Sequence, residues 1–314
     1  DIFHVIHEIR RQDPRYQFCH LLAHKLGADA VAEDPSRWID LVPENPSDGI
    51  CSNGFIHGII IGRFKSEVLD DAQITKLIPD LARACEPRVD WAPSMLDQAM
   101  CYHGVGHLLT YITEARLAKA AALCDPVANH GVRGDFSRVC LEGVFMQIYQ
   151  PVEPDDFELI AKLPEAPTAA NYRRLCKMQK GADTIGACLR EAWPLFREEI
   201  MSNAGTERFC SGQPDAINTQ ACYDTIVSIV GRGTLGHSGD AQDICKALPE
   251  KEQLNCYSRV ALSRVEEDRT AGGDAVEFCK TSGKHEEGCL DFLATRGGYV
   301  FQTAEQLSQY CQFF

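Results

Sequence analysis

No two of the fifteen cysteines in this 314-residue chain form a C-x-x-C pair. That absence removes the motif of zinc ribbons, thioredoxin-like redox sites and c-type haem attachment. The chain also lacks an uninterrupted apolar run of about eighteen residues, so a transmembrane helix is not expected. Its longest apolar patch, Phe55 to Gly62, is short and holds His57. Basic residues are in deficit: 31 Lys and Arg stand against 45 Asp and Glu, a net charge of −14. Sequence-independent binding to DNA or RNA, or docking on anionic lipid, needs a dense cationic surface and is not expected. Neither a G-x-S-x-G elbow nor a phosphate-binding glycine loop is found. The first residues are polar and amphipathic rather than a signal peptide, and the expectation is that any export signal has been removed or left out.

What is present is a period. Cys188, Cys222, Cys256 and Cys289 are 34, 34 and 33 residues apart, and Cys176, Cys210, Cys245 and Cys279 are 34, 35 and 34 apart. Two interleaved series with one spacing imply one unit used about four times, with the length of a two-helix hairpin. Apolar residues from Leu254 to Val265 follow a helical stripe. Gln213-Pro214-Asp215 and Gly272-Gly273-Asp274 read as turns followed by N-caps. Each unit is therefore a short helix, a turn and a longer helix, with one cysteine on each. The pairing expected is Cys85–Cys101, Cys124–Cys140, Cys176–Cys188, Cys210–Cys222, Cys245–Cys256 and Cys279–Cys289. This leaves Cys19 and Cys51 to bridge each other and Cys311 alone. Disulfides in such number point to an oxidising compartment, secreted or periplasmic.

In the first half the spacing loosens to 50, 39 and 48 residues between Cys51, Cys101, Cys140 and Cys188. The extra length lies in Pro-rich text at residues 43–48, 87–93 and 151–167, read as loop insertions. The last of these marks a boundary between residues 1–150, with the histidines, and 151–314, with the regular units.

The period and hairpin plan resemble those of tetratricopeptide and Sel1-like helical-repeat proteins. The tetratricopeptide Trp, Gly, Tyr and Pro pattern is missing and the cysteines are additional. The resemblance implies an all-α, right-handed α-solenoid of hairpins and carries no function with it.

Chemistry is suggested by histidines in register. Cys51-Ser-Asn-Gly-Phe-Ile-His57 aligns with Cys101-Tyr-His103-Gly-Val-Gly-His107 and with Cys140-Leu-Glu142-Gly-Val-Phe-Met146. The varying positions are four apart, on one helix face. Cys19-His20-Leu-Leu-Ala-His24 offers another i, i+4 pair. Stacked helices bring such positions into a ladder, and Gly54, Gly58, Gly104, Gly106 and Gly143 let backbones approach. His20, His24, His57, His103 and His107 are thus the expected ligands of one transition-metal site for zinc, copper or iron. Glu142 is its expected ligand or general base. His20-Leu-Leu-Ala-His24 is not the H-E-x-x-H of metalloproteases, because Leu21 replaces the glutamate. His4 and His7 could join the site but suit a surface better. His130 reads as a turn, and His237 and His285 as loop residues. The competing function is a non-enzymatic scaffold or accessory subunit that binds a protein partner on the concave face of the solenoid.

Overall fold

The computed structural model describes residues 4–6, 8, 19–64, 67, 69–129, 133–200, 205–234 and 238–314. His7, His130 and His237 lie outside them. Among the described residues the chain is all-helical, with no strand and with an isolated bridge between Arg88 and Trp91.

The principal helices of the first half are α1 (Cys19–Glu33), α2 (Gly54–Phe64), α3 (Asp71–Ala84), α4 (Met95–Ile112), α5 (Leu117–Ala128), α6 (Ser137–Tyr149) and α7 (Pro154–Ile160). They are followed by α8 (Tyr172–Lys177), α9 (Ala182–Glu191), α10 (Gly205–Cys210), α11 (Ala216–Gly233), α12 (Ser238–Ala247) and α13 (Glu250–Glu267). Last come α14 (Gly272–Lys280), α15 (Glu286–Arg296) and α16 (Ala304–Cys311). Local sequence starts several of them. Asp70, Ser94 and Thr303 form capping boxes with the residues three further on, satisfying backbone N–H groups that the first turn leaves unpaired. Asp215 caps α11 by accepting from the Asn218 amide.

All six cysteine pairs expected from the spacing are bridged, with Cα–Cα distances of 5.4–5.6 Å. Each joins a shorter helix to the helix that follows it, and each bridged sulfur lies in the core. The loops closed span 10 to 16 residues. In the chain-entropy account each is worth on the order of 3 kcal/mol. A bridge between Cys19 and Cys51 is not among the six, although both residues are buried; Cys311 is exposed.

Three local expectations are corrected. Cys51 does not sit on a long helix. Cys51, Ser52 and Asn53 take positive φ values of 60°, 50° and 59°, a left-handed turn that ends where α2 begins. Gly272 and Gly273 lie inside α14 rather than in a turn before it. A Cβ on Gly272 would stand 2.7 Å from the Phe313 ring, so glycine is needed there to admit an aromatic side chain. The stretch 151–167 is not wholly loop, since it contains α7.

The longer helices pack in chain order, α1 on α2, α2 on α4, α4 on α6, α6 on α9, α9 on α11, α11 on α13 and α13 on α15. Contacts also join the two ends of this series. Ser52 donates its hydroxyl to Glu267 at 2.9–3.0 Å. Arg269 pairs with Asp97 at 2.5 Å, both side chains 2% exposed, and Gln306 reaches the Ser47 carbonyl at 3.3 Å. An open stack in which each unit touches only its neighbours has no such contacts. The buried Asp97–Arg269 pair links residues 172 positions apart. Removing one partner of such a pair strands a charge in the core.

A buried histidine cluster

Two helix crossings set the histidines. At the crossing of α1 and α2, a Cβ on Gly58 would lie 2.1 Å from the His24 carbonyl oxygen, and one on Gly27 2.3 Å from that of Phe55. The crossing of α4 and α6 repeats the arrangement, with Gly106 against the Cys140 carbonyl at 2.1 Å and Gly143 against that of His103 at 2.0 Å. No side chain fits at these distances, so backbone packs on backbone. Between the two crossings, a Cβ on Gly104 would fall 2.6 Å from Cδ2 of His57. Glycine there makes room for the imidazole. A glycine inside a helix costs roughly 1 kcal/mol against alanine, and close packing around the cluster offsets it.

The result is a contiguous group of five rings centred on His57. Ring centroids are 4.6 Å apart for His20 and His24, and 5.3 and 5.4 Å from these to His57. On its other side His57 lies 5.7 Å from both His103 and His107, which are 4.8 Å from each other. His24, His57 and His107 are buried, while His20 and His103 are partly so. One ligand atom from each of His20, His24 and His57 can be chosen so that all lie within 4.8 Å of one another. An ion with bonds of about 2.0–2.1 Å sets tetrahedral nitrogens roughly 3.4 Å apart, so small ring rotations close the group. His103 and His107 adjoin this trio and stand outside it.

Hydrogen bonds fix which nitrogen carries each proton. Nδ1 of His20 donates to the Cys51 carbonyl at 2.8 Å, leaving Nε2 with its lone pair. The left-handed turn at residues 51–53 aims that carbonyl. Non-glycine residues in this conformation cost about 1–2 kcal/mol each, and such strain gathers at functional sites. Nε2 of His57 donates to the Met100 carbonyl at 2.8 Å, leaving Nδ1 as a buried atom without a hydrogen-bond partner. Nε2 of His24 lies 3.1 Å from Nε2 of His20 and therefore donates to it, while its Nδ1 is 3.8 Å from the Glu153 carboxylate. Moving the His24 proton to Nδ1 turns it toward the Glu153 carboxylate, 3.8 Å away, and leaves Nε2 of His20, Nε2 of His24 and Nδ1 of His57 without protons. Ligand histidines are held in this way, with one nitrogen on the metal and the other donating to a carbonyl or carboxylate.

Burial disfavours the charged form of four of these rings. It is the largest cause of a depressed pKa at His20, which falls to about 3, and at His57, His103 and His107. Neighbouring imidazoles lower them further, chiefly His24 for His20 and His103 for His107. The Glu142 carboxylate and a backbone bond to Val139 oppose the shift at His103.

Glu142 is not placed as a ligand of the trio. Its carboxylate accepts from Arg190 at 2.9 Å, and that guanidinium is 1% exposed. Two carboxylates act on the cluster, Glu153 at 3.8 Å from His24 and Glu142 through its charge on His103. Other residues of the site carry no sequence signal. Gln147 accepts from Nδ1 of His107 at 2.7 Å and donates to Asp156 at 2.6 Å, and Tyr111 donates to the same carboxylate. Buried Glu191 is pushed up to about 8, by burial first and then by the Glu142 charge. Met146 shares its register position with His57 and His107 and touches His103 instead. Outside the cluster, His4 is exposed and His285 lies against Tyr257 and Gln253.

Fold and site together define a class: an all-helical, disulfide-bonded protein with a buried polyhistidine centre. Among the known families, curated proteins and solved structures with which it was compared, the chain matches none.

Proposed function

We propose that this chain is an extracytoplasmic metal-binding protein whose first ion is held by His20, His24 and His57. The observation that carries the reading is the buried Nδ1 of His57, which has no hydrogen-bond partner, on a ring packed against two further imidazoles that can share an ion with it. A buried polar atom left unsatisfied costs about 1–3 kcal/mol. A bound cation removes that cost. Imidazole donors suit zinc, copper or iron better than calcium or magnesium. Glu153 supports His24 from the outer shell. Glu142, held by Arg190, balances charge beside His103, and any metal-dependent hydrolytic or oxidative chemistry would draw on it.

The overall path is read as a right-handed α-solenoid, curved far enough for its ends to meet. Six disulfides suit a secreted or periplasmic setting, and no described helix is long and apolar enough to cross a membrane. A scaffold that binds a protein on its concave face needs no buried histidines, so the metal reading is preferred. Elemental analysis of protein purified without added chelator tests it. At least one transition-metal ion per chain is expected, and none per chain after dialysis against the free ion would refute the reading.

A further inference from the structure

Beside the trio lie further electron-pair donors: His103, whose ring is 4.8 Å from that of His107, and Met146, in contact with His103. Nε2 of His103 lies 3.2 Å from Sδ of Met146. The Val139 backbone favours a proton on this ring, and with that proton on Nδ1 the other nitrogen is free of hydrogen. Nε2 then meets the thioether with a lone pair, and Sδ has no proton to give. The alternative tautomer would have only a weak sulfur acceptor for its Nε2 proton. Two lone-pair donors in contact without a hydrogen between them are mutually repulsive unless a cation joins them.

His107, one helical turn from His103, is fixed by a longer relay. The Gln147 amide nitrogen donates to Asp156, so its oxygen must face His107 and accept from Nδ1. Nε2 of His107 is therefore bare as well. Asp156 is itself anchored by the Val152 and Glu153 backbone amides at 2.7 and 2.8 Å, which makes this tautomer a built feature.

Resting on the metal-binding reading, we propose that His103, His107 and Met146 form a second, softer metal site beside the first, selective for copper(I). Thioether sulfur is a soft ligand that prefers copper(I) over zinc or iron(II), and two imidazoles complete a three-coordinate set. The protein then holds two ions, one on each side of His57.

The test loads the Cys311→Ser protein with copper(I) under ascorbate, removes loosely held metal, and measures copper per chain and the copper X-ray absorption spectrum. Met146→Leu is the comparison, since leucine keeps the volume and the fold. Two copper ions per chain are expected, with a sulfur scatterer in the copper shell. Met146→Leu should bind half as much copper and lose that scatterer. Unchanged copper content in Met146→Leu, a nitrogen-only shell in the parent protein, or a sulfur signal that survives the substitution would overturn the second site. In each of those cases, zinc retained at one equivalent through His20, His24 and His57 would leave the first reading standing. If neither copper nor zinc is retained, both readings fail.

Discussion

Replacing His57 with alanine is expected to lower metal affinity by more than about 100-fold, the largest effect of any single substitution in the cluster. His57 is the only imidazole whose ring lies within 6 Å of the other four, at 5.3–5.7 Å, and its Nδ1 is the unsatisfied buried atom of the site. Outer-shell changes at metal sites cost about 10–100-fold, and loss of a direct ligand costs more. Competition against a chromophoric chelator measures the difference. His285→Ala is the control, because that ring bonds Gln253 and stacks on Tyr257, far from the cluster in its contacts. Circular dichroism should show both variants helical, the bridges being elsewhere. Equal affinity in His57→Ala and the parent would remove His57 from the site.

Acidification of the metal-free protein should destabilise it steeply below about pH 6. In the unfolded chain a histidine titrates near 6.5. In the folded chain His20, His57, His103 and His107 are held below that value, His20 at about 3. The unfolded state thus binds more protons as pH falls below 6.5. Stability is full above that pH and is lost as pH descends toward the folded values. Each such group contributes a slope of up to about 1.4 kcal/mol per pH unit. The four act in the same direction, so their losses reinforce one another. Glu191 acts in the opposite sense. Its folded pKa is raised to about 8, so its contribution is largest in acid and declines as pH rises from the ordinary carboxylate range to 8. One group does not offset four. Urea unfolding at pH 7.5, 6.0 and 5.0 should show a falling midpoint, and a constant midpoint would contradict the buried, neutral state of the rings. The ion should accordingly leave with the fold rather than at the pKa of a free imidazole.

The bridges were legible because both cysteine series keep one spacing, and equal spacing on a hairpin puts the same two positions face to face in every unit. The five histidines were legible for the same reason: i, i+4 pairs mark a helix face, and glycines three, five or seven residues after a cysteine mark where helices touch. Gly58 and Gly104 are needed at those crossings, as the contacts with His24 and His57 show. The turn at Cys51–Asn53 was not legible, since three successive non-glycine residues with positive φ follow no local preference and are held by distant partners. Ser52 is tied to Glu267, and Asn53 accepts from Asn45 at 2.7 Å. Gln147, Asp156 and Glu191 looked like ordinary polar helix residues. Their roles come from burial, which depends on packing between helices. The contact of Asp97 with Arg269 is likewise invisible to periodicity, because a repeat fixes the step from one unit to the next and small differences in that step accumulate until the ends meet or miss.

Anomalous diffraction at the metal absorption edge, from crystals of the metal-loaded protein, tests the central claim most directly. A peak is predicted within about 2.0–2.2 Å of Nε2 of His20 and Nδ1 of His57, with Nε2 of His24 as the third ligand and Nδ1 of His24 turned to Glu153. Density for metal confined to surface groups such as Cys311, with His57 Nδ1 bonded to a protein donor, would contradict it.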